Sequence, residues 1–324
     1  MFQILLNPKV SLNLRFNYQE MITLNVQNET GQLEAVVLGI ANSFGGTPIL
    51  EACYDPKSKE HVKAGTFPLE ESIVPEMEAV CSVLEKHGVK VYRPVEIEGL
   101  NQIFARDIAF VIDDKMVLPN IIEDRVEEVA AVKFVLEEVA SDKLLKMPSE
   151  ARAEGGDVMP WNEYLFVGYS EDADFEKYQV ARTNKEGVAF LKKAFANRIV
   201  KAFELNKSDE NPRENALHLD CCFQPIGTGQ AILFEGAFKH SKDVAFLVDY
   251  FGEENIIRIT QEEMYEMNSN VFSISPEVII SEKGFVRLNN ELRSRGFQVE
   301  EVPYAEIAKM EGLLRCSTMP LRRR

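Results

Sequence analysis

The amino-acid sequence predicts an α/β protein built from repeated supersecondary units. Short apolar runs of strand length alternate with segments of helical periodicity along the chain. The order hairpin, helix, strand runs from His218 to Thr260 and recurs from Asn270 to Ile307. The stretch from Ile103 to Lys146 shows the same order, so the repeat spans about 50 residues. Repeats of this length predict units arranged around an axis.

Local patterns predict the individual elements in chain order. Residues 33–39 (LEAVVLG) are typical of a strand, and residues 71–88 have helical spacing that ends at Gly88. Further strands and hairpins are predicted at residues 89–94, 107–121, 164–170, 217–234, 256–260, 270–281 and 297–307. Further helices are predicted at residues 124–140, 185–196, 242–252 and 284–296. The long irregular segment 39–68 predicts either a loop over a substrate site or a plain surface excursion.

Composition restricts the classes of partner. The chain has 324 residues, with 52 acidic and 36 basic side chains and a net charge of -16. This balance argues against nucleic acid or an anionic membrane as the main partner. It fits a cationic small-molecule substrate, although such a charge also serves solubility. No stretch approaches the roughly 18 apolar residues of a membrane span.

Cysteine and histidine usage predicts a cytoplasmic protein without a metal site. The five cysteines are odd in number and none has the spacing of a metal-binding pair. A reducing compartment is therefore expected. The four histidines are scattered, so a zinc site is not expected. No linker divides the chain, and we expect one domain over residues 21–324, with residues 1–20 either a flexible extension or the result of a start codon assigned too early, upstream of Met21.

Four short stretches each place acids, a histidine or a thiol at the end of a predicted strand or in the turn beside it. They are FARD (104–107), EGGD (154–157), HLD (218–220) and RCS (315–317). A histidine and a thiol that meet in the fold form a nucleophile and its base. Nearby carboxylates hold a cation through paired hydrogen bonds.

Each stretch also has a purely structural interpretation. Asp107 beside Arg106 fits a surface ion pair, and EGGD fits an acidic turn whose glycines adopt positive φ. His218 and Asp220 on one face of a strand fit a structural histidine with a satisfied ring. Cys316 alone fits a small buried apolar residue. The ordered combination of the four stretches favours catalysis.

Together, these motifs resemble the guanidino-group modifying enzymes, and the resemblance covers the chain from about residue 30 onward. The superfamily includes arginine deiminases, dimethylarginine dimethylaminohydrolases and glycine amidinotransferases. Its fold is a five-bladed pseudo-symmetric α/β propeller, the pentein fold, built from ββαβ-type units. The resemblance implies a cysteine-dependent enzyme that uses no cofactor and no metal. Assembly into a homo-oligomer is left open.

The motifs are divided among the branches of the superfamily. FARD, EGGDV and HLD are most similar to arginine deiminases, whereas RTNKEG (182–187) and MEGLLRCS (310–317) are similar to the dimethylarginine hydrolases. HLDCCFQPIGTG (218–229) is similar to the amidinotransferases. Deiminases carry Arg-Gly-Gly-Pro-Arg-Cys before the thiol. Here Glu311 replaces an arginine that would help clamp the substrate carboxylate, which argues against free L-arginine as substrate.

The resemblance implies a role for each residue of the motifs. The implied catalytic residues are Cys316 as nucleophile, His218 as general acid and base, and Glu154. The residues implied to bind substrate are Asp107, Asp220, Arg182, Asp157, Arg315 and Arg106. Asp107, Glu154 and Asp220 would accept the N–H groups of a planar guanidinium. Arg182 would meet a carboxylate on the substrate tail.

The implied reaction passes through a covalent amidino-cysteine. Hydrolysis of this intermediate gives a ureido product such as citrulline, together with ammonia or an alkylamine. If an amine acceptor replaced water, the same intermediate would give amidino transfer. A third hypothesis is a non-catalytic binding protein on the propeller fold, because a fold alone does not fix function.

Overall fold

The computed structural model describes residues 21–324, so the expected extension at residues 1–20 lies outside the described residues. In chain order, the strands are β1 (Leu33–Leu38), β2 (Lys90–Tyr92), β3 (Phe110–Ile112), β4 (Lys115–Leu118), β5 (Leu144–Lys146), β6 (Val158–Trp161), β7 (Tyr164–Tyr169), β8 (Ile199–Glu204), β9 (Phe223–Ile226), β10 (Gln230–Leu233), β11 (Ile256–Arg258), β12 (Phe272–Ser273), β13 (Val278–Glu282), β14 (Gln298–Val302) and β15 (Thr318–Arg323). The α-helices are α1 (Pro56–Ala64), α2 (Glu70–Lys86), α3 (Glu128–Ala131), α4 (Lys133–Glu137), α5 (Asp172–Lys177), α6 (Lys185–Ala194), α7 (Ser241–Phe251), α8 (Gln261–Tyr265) and α9 (Val286–Ser294).

The strands form five three-stranded sheets, each a ββαβ unit. Four sheets are continuous in sequence: β3 to β5, β6 to β8, β9 to β11, and β12 to β14. In each of them the first two strands are antiparallel, and a helical crossover leads to a third strand parallel to the second. In the fifth sheet, β1 is the central strand: it pairs antiparallel with β15 and parallel with β2. The predicted five-bladed α/β propeller is confirmed.

The three predicted repeats each coincide with one unit of the propeller. The unit at β6 to β8 was not predicted as a repeat, and neither was the unit that joins the two ends of the described chain. Leu33 pairs with Arg323, far beyond the range of any local pattern. Local periodicity therefore identifies individual units but not the pairing that closes the ring.

Burial falls from the first strand of each unit to the last. Strands β3, β6, β9 and β12 consist of buried residues, whereas β2, β5, β8 and β14 contain half-buried and exposed ones. Helix α2 buries Ile73, Met77, Val80 and Leu84, whose spacing of three and four residues places them on one face. The core thus fills the interior of the ring and the space beneath the helices. None of the helices within residues 21–324 is long and apolar enough to cross a lipid bilayer.

Two predicted segments differ from the structure. The helix predicted at residues 124–140 is divided into α3 and α4 at Val132, in a stretch where valines lower the helix propensity. The segment 39–68 contains α1. Asp55 accepts a hydrogen bond from the Ser58 N–H at 2.7 Å at the start of this helix, and Gly65 ends it at φ 66°.

A buried arginine, Arg315, connects three parts of the ring immediately before β15. Its guanidinium donates to Glu29 through Nε at 3.0 Å and Nη2 at 3.1 Å. Nη1 donates to Asp220 Oδ2 at 2.8 Å. The remaining bonds go to the carbonyls of Gly155, Gly156 and Val158. Because the side chain is fully buried, these partners replace all of its hydration.

We expect the Glu29→Gln substitution to lower the free energy of unfolding by about 3 kcal/mol, because it removes one of the two carboxylates that bind the buried Arg315 guanidinium. Urea unfolding of the two proteins measures the difference. Glu137→Gln is the control, since Glu137 faces Lys133 at 3.5 Å and both side chains are mostly exposed. Its effect should be about 1 kcal/mol or less. Equal effects of the two substitutions would contradict the importance of the Arg315 contacts.

Candidate active site

The Cys316 thiol is held by an asparagine from another unit. Asn270 Nδ2 donates to Cys316 Sγ at 3.2 Å, and Asn270 Oδ1 accepts from the backbone N–H groups of Arg315 and Cys316 at 2.9 and 3.2 Å. Cys316 Sγ lies 3.7 Å from Asp220 Oδ2. Burial, followed by the charges of Asp220 and Asp107, raises the pKa of the thiol well above its usual range. The sulfur is therefore protonated at neutral pH.

His218 lies between two carboxylates. Its Nε2 is 2.9 Å from Glu154 Oε2, and its Nδ1 is 3.9 Å from Asp107 Oδ1 without a hydrogen-bond partner. Burial disfavours the imidazolium, but Asp107 and Glu154 outweigh it and raise the pKa of His218 to about 9. The ring thus carries a proton at neutral pH. His218 precedes the 3-10 helix Leu219–Cys221, so the expectation that it shares a strand face with Asp220 is wrong.

Arginines compensate the two carboxylates beside His218. Arg125 Nη1 donates to Asp107 Oδ2 at 2.7 Å, and the Gly156 N–H donates to Asp107 Oδ1 at 3.1 Å. Arg182 Nη1 lies 3.6 Å from Glu154 Oε1. Burial opposes the ionisation of Glu154, but Arg182 and His218 prevail and lower its pKa to about 2. The pair Glu154 and His218 is therefore ionised at neutral pH.

The glycines of EGGD permit close packing and do not adopt the expected positive φ. A Cβ atom at Gly155 would lie 2.1 Å from the Arg106 carbonyl oxygen. At Gly156 it would lie 2.5 Å from His218 Nδ1. Larger residues at either position would displace the histidine or the segment that carries Asp107.

Five of the predicted site residues line one small cavity of about 20 Å³. They are Cys316, His218, Glu154, Asp107 and Arg182. This volume holds about one water molecule, so a guanidino compound requires the wall to move. Tyr54, Met310 and Glu311 form part of that wall.

The other four predicted residues support the cavity from behind. Asp220 contacts the thiol and Arg315, and Arg315 is occupied by its partners in the ring. Arg106 donates through Nε to the Arg315 carbonyl at 3.3 Å, and burial and the Arg315 charge lower its pKa to about 9. Asp157 accepts from the Leu219 N–H at 2.9 Å, and burial raises its pKa. Each of these residues is positioned to hold neighbouring residues of the site.

Three residues with contacts in the site were not predicted from the sequence: Asn270, Arg125 and Glu29. Asn270 follows the segment EMNS and looks like the first polar residue of a strand. Arg125 forms a bidentate pair with Glu128 at 2.7 and 2.8 Å, and this i,i+3 spacing is typical of a surface pair on a helix. Glu29 had no neighbouring motif. Only the folded ring brings these side chains to the site.

One group in the described residues has the geometry of a metal site. Donor atoms of Asp107, Glu154 and His218 all lie within 4.8 Å of one another. Arg125 and Arg182 already bind the two carboxylates. The expectation that the protein uses no metal stays a prediction.

The chain is similar to known proteins in sequence and in fold. An uncharacterised protein of Bacillus subtilis, YkgA, is 30% identical over 242 residues, which cover 74% of this chain and 76% of that protein. The N-terminal domain of ArgZ, an arginine dihydrolase of cyanobacteria solved with product, has a TM-score of 0.73 at 17% identity over 90% of this chain and 98% of that one. The same domain has also been solved covalently bound to a reaction intermediate.

An amidinotransferase shares the fold as well. SxtG, from the saxitoxin pathway of Microseira wollei, has a TM-score of 0.70 at 18% identity over 93% of this chain and 97% of that one. At such identities the likeness shows the fold alone. The family model described as eukaryotic N,N dimethylarginine dimethylhydrolase matches residues 57–323. The chain therefore belongs to this family, within the superfamily of guanidino-group modifying enzymes.

Proposed function

We propose that the protein is a cysteine-dependent hydrolase of a guanidino compound, either arginine or a substituted or related derivative. The observation that carries the proposal is the single cavity lined by the Cys316 thiol, the His218 ring and the carboxylates of Asp107 and Glu154. Membership of the family and the covalent intermediate seen in the ArgZ domain support it. The cationic substrate suits the acidic lining and the net charge of -16.

The carboxylates orient the substrate. A guanidinium is planar and donates N–H groups in fork geometry, which carboxylate oxygens accept in pairs. Asp107 and Glu154 would bind one edge of the plane, and Asp220 would lie near the reacting carbon because it contacts the thiol at 3.7 Å. Arg182 keeps Glu154 ionised before substrate arrives, and Arg125 holds the Asp107 carboxylate in place by a hydrogen bond. Arg182 would also meet a carboxylate on the substrate tail.

The substrate's own charge activates the thiol. Arg315 is bound by Glu29 and Asp220, so its charge is already compensated and does not stabilise a thiolate. A guanidinium held beside Cys316 favours the thiolate, because opposite charge lowers the pKa of the acid. Asn270 Nδ2 then donates to the sulfur anion. The thiol proton leaves to solvent as the cation binds.

The chemistry proceeds in two stages. Cys316 Sγ forms a bond to the guanidinium carbon, and the bond from that carbon to the leaving nitrogen breaks as the His218 imidazolium donates its proton. This leaves an amidino-thioether on Cys316 and a neutral His218. His218 then takes a proton from water, whose oxygen attacks the same carbon. The C–S bond breaks, the hydroxyl proton of the adduct passes to the leaving sulfur to restore the thiol, and the ureido product is released.

Amidino transfer is the second candidate. It also passes through an amidino-cysteine, but not the same one: the amine that carries the substrate chain leaves in the first stage, and an acceptor amine attacks the remaining amidino carbon in the second. The likeness to SxtG over 97% of that chain favours keeping this candidate. The two reactions therefore differ in which nitrogen leaves the guanidinium carbon and in what attacks the thioether.

Product analysis distinguishes the two reactions. We expect arginine, methylated arginines, agmatine or a related guanidino acid to give a ureido product and free amine without an added acceptor. Cys316→Ser should abolish turnover, because serine lacks a comparable nucleophile, while substrate binding is retained. Ornithine that forms from arginine only when glycine or another amine is present would establish transfer. Normal turnover by Cys316→Ser would contradict the covalent route.

We expect His218→Ala to lower kcat at least about 100-fold, because general acid–base catalysis is lost. If the amidino adduct on Cys316 of this variant forms faster than it is hydrolysed, it should accumulate, and mass spectrometry should detect it. In the unsubstituted protein, kcat/KM should rise with pH and level off at about pH 9, because the Cys316 thiol must lose its proton while His218 must keep its own. His240→Ala is the control, because that ring is half exposed and pairs with Glu204. Similar activity of both variants would contradict the role of His218.

Two alkylating agents of the same shape test how the thiol is activated. Chloroacetamide is neutral, and we expect it to modify Cys316 slowly at pH 7 because the thiol pKa is raised. Chloroacetamidine carries a positive charge and should react at least about tenfold faster, because that charge favours the thiolate. Mass spectrometry of the Cys316 peptide gives both rates, with Cys316→Ser as the blank. Equal rates would show that the cation does not activate the thiol.

A further inference from the structure

A second pair of acids, Asp55 and Glu311, lines the catalytic cavity. Both side chains are buried. Asp55 accepts from the Ser58 N–H, and Glu311 accepts from Asn215 Nδ2 at 2.6 Å and from the Lys57 N–H at 3.4 Å. All of these donors are neutral. No ion pair within residues 21–324 includes either carboxyl.

The other acids of the cavity have cationic partners. Asp107 is bound by Arg125, and Glu154 is bound by Arg182 and His218. The charges of both acids act on the buried Lys57, but its ammonium is directed to the carbonyl and the ring of Tyr265 and forms no ion pair with either carboxyl. The second pair is therefore the part of the cavity whose carboxyls lack a directly bound cation.

A proton takes the place of the missing cation. The side chains of Asp55 and Glu311 are hydrogen-bonded to each other, which requires one of the two to be protonated. Burial, followed by the charge of Asp55, raises the pKa of Glu311 well above its usual range. Glu311 also adopts a left-handed backbone conformation at φ 56°, which is uncommon for this residue type. The chain thus holds this carboxyl in place at a conformational cost.

The pair lies on the side of the cavity that faces a second, larger cavity. Tyr54, Asp55 and Met310 line both spaces, and the second has a volume of about 110 Å³. Its wall also includes Phe44 and Phe67, which suit an aliphatic chain. Independently, the buried His218 Nδ1 lacks a partner in the catalytic cavity, and this indicates that a ligand belongs there. A substrate with its guanidinium at Cys316 would extend its tail past Asp55.

We propose that Asp55 and Glu311 form a subsite for an ammonium group on the substrate tail. This inference rests on the proposed function and adds the substrate class: guanidino compounds that carry a second, amine-derived cation. The ammonium replaces the shared proton and donates to both carboxylates. Amino acids and diamines share this chemistry, whereas guanidino acids without an amine lack it.

Substrate pairs that differ only in the amine test the subsite. The pairs are arginine with 5-guanidinopentanoate, and agmatine with butylguanidine. We expect kcat/KM of the unsubstituted protein to favour the amine in at least one pair by about tenfold or more, as expected for a charge-assisted hydrogen bond. Preference in the first pair alone identifies an amino acid, and preference in the second alone identifies a diamine.

The double variant Asp55→Asn/Glu311→Gln should lose the preference, because it removes both charges and keeps both shapes. Asparagine also caps helices as well as aspartate does. Glu76→Gln is the matched control, because Glu76 is a buried acid that accepts from the N–H groups of Glu306 and Ile307 and lines neither cavity. It should keep the preference. Thermal melting establishes whether each variant is folded. If the double variant is not folded, the kcat/KM preference of the unsubstituted protein tests the subsite by itself.

Two results would overturn the subsite. Equal kcat/KM within both pairs, with turnover present, would remove the subsite and leave the proposed function standing. A preference that survives in the folded double variant would place the ammonium elsewhere. No turnover of any guanidino compound, together with no adduct on Cys316, would instead overturn the proposed function and the subsite with it.

Discussion

The buried guanidinium of Arg315 is the interaction on which the arrangement of the site depends. It binds Glu29 near the start of the described chain, the 155–158 segment and Asp220, which belong to different parts of the ring. Cys316 is the next residue, so the same contacts that join these parts also fix the sulfur. A buried cation requires each of its partners to be present, because an unmatched charge in the interior is costly. One set of hydrogen bonds therefore fixes both the arrangement of these parts of the ring and the position of the Cys316 sulfur.

Charge balance explains the protonation states of the groups in the site. Asp107 and Glu154 are compensated by arginines and by the His218 imidazolium, whereas the Cys316 thiol stays neutral. A neutral sulfur beside a protonated ring is a resting state that is unreactive toward most electrophiles. The proposed substrate supplies the charge that changes it. The cation would then determine reactivity as well as affinity, and neutral compounds of similar shape would be poor substrates.

The sequence allowed the prediction of the repeated units and of the groups with the most recognisable chemistry. Cys316, His218, Glu154 and Asp107 stand in short motifs, and they line one cavity. Asn270, Arg125 and Glu29 could not be found in this way. Their partners lie 18 to 286 residues away, and their own surroundings in the sequence are ordinary. The Gly155-Gly156 pair was predicted to allow positive φ. In the structure these residues are glycines for a steric reason, because the ring of His218 and the Arg106 carbonyl leave no room for a side chain.

The pairing of β1 with β15 also has a consequence for how the protein folds. We expect Leu33 and Arg323 to pair late in folding, because closing so long a loop costs more entropy than forming the contacts within each unit. Contacts of such long range slow folding. Because Cys316 lies two residues before β15, we expect the proposed nucleophile to reach its partners in the same late step. Partly folded forms of this protein would thus be catalytically silent, even where several blades have already assembled.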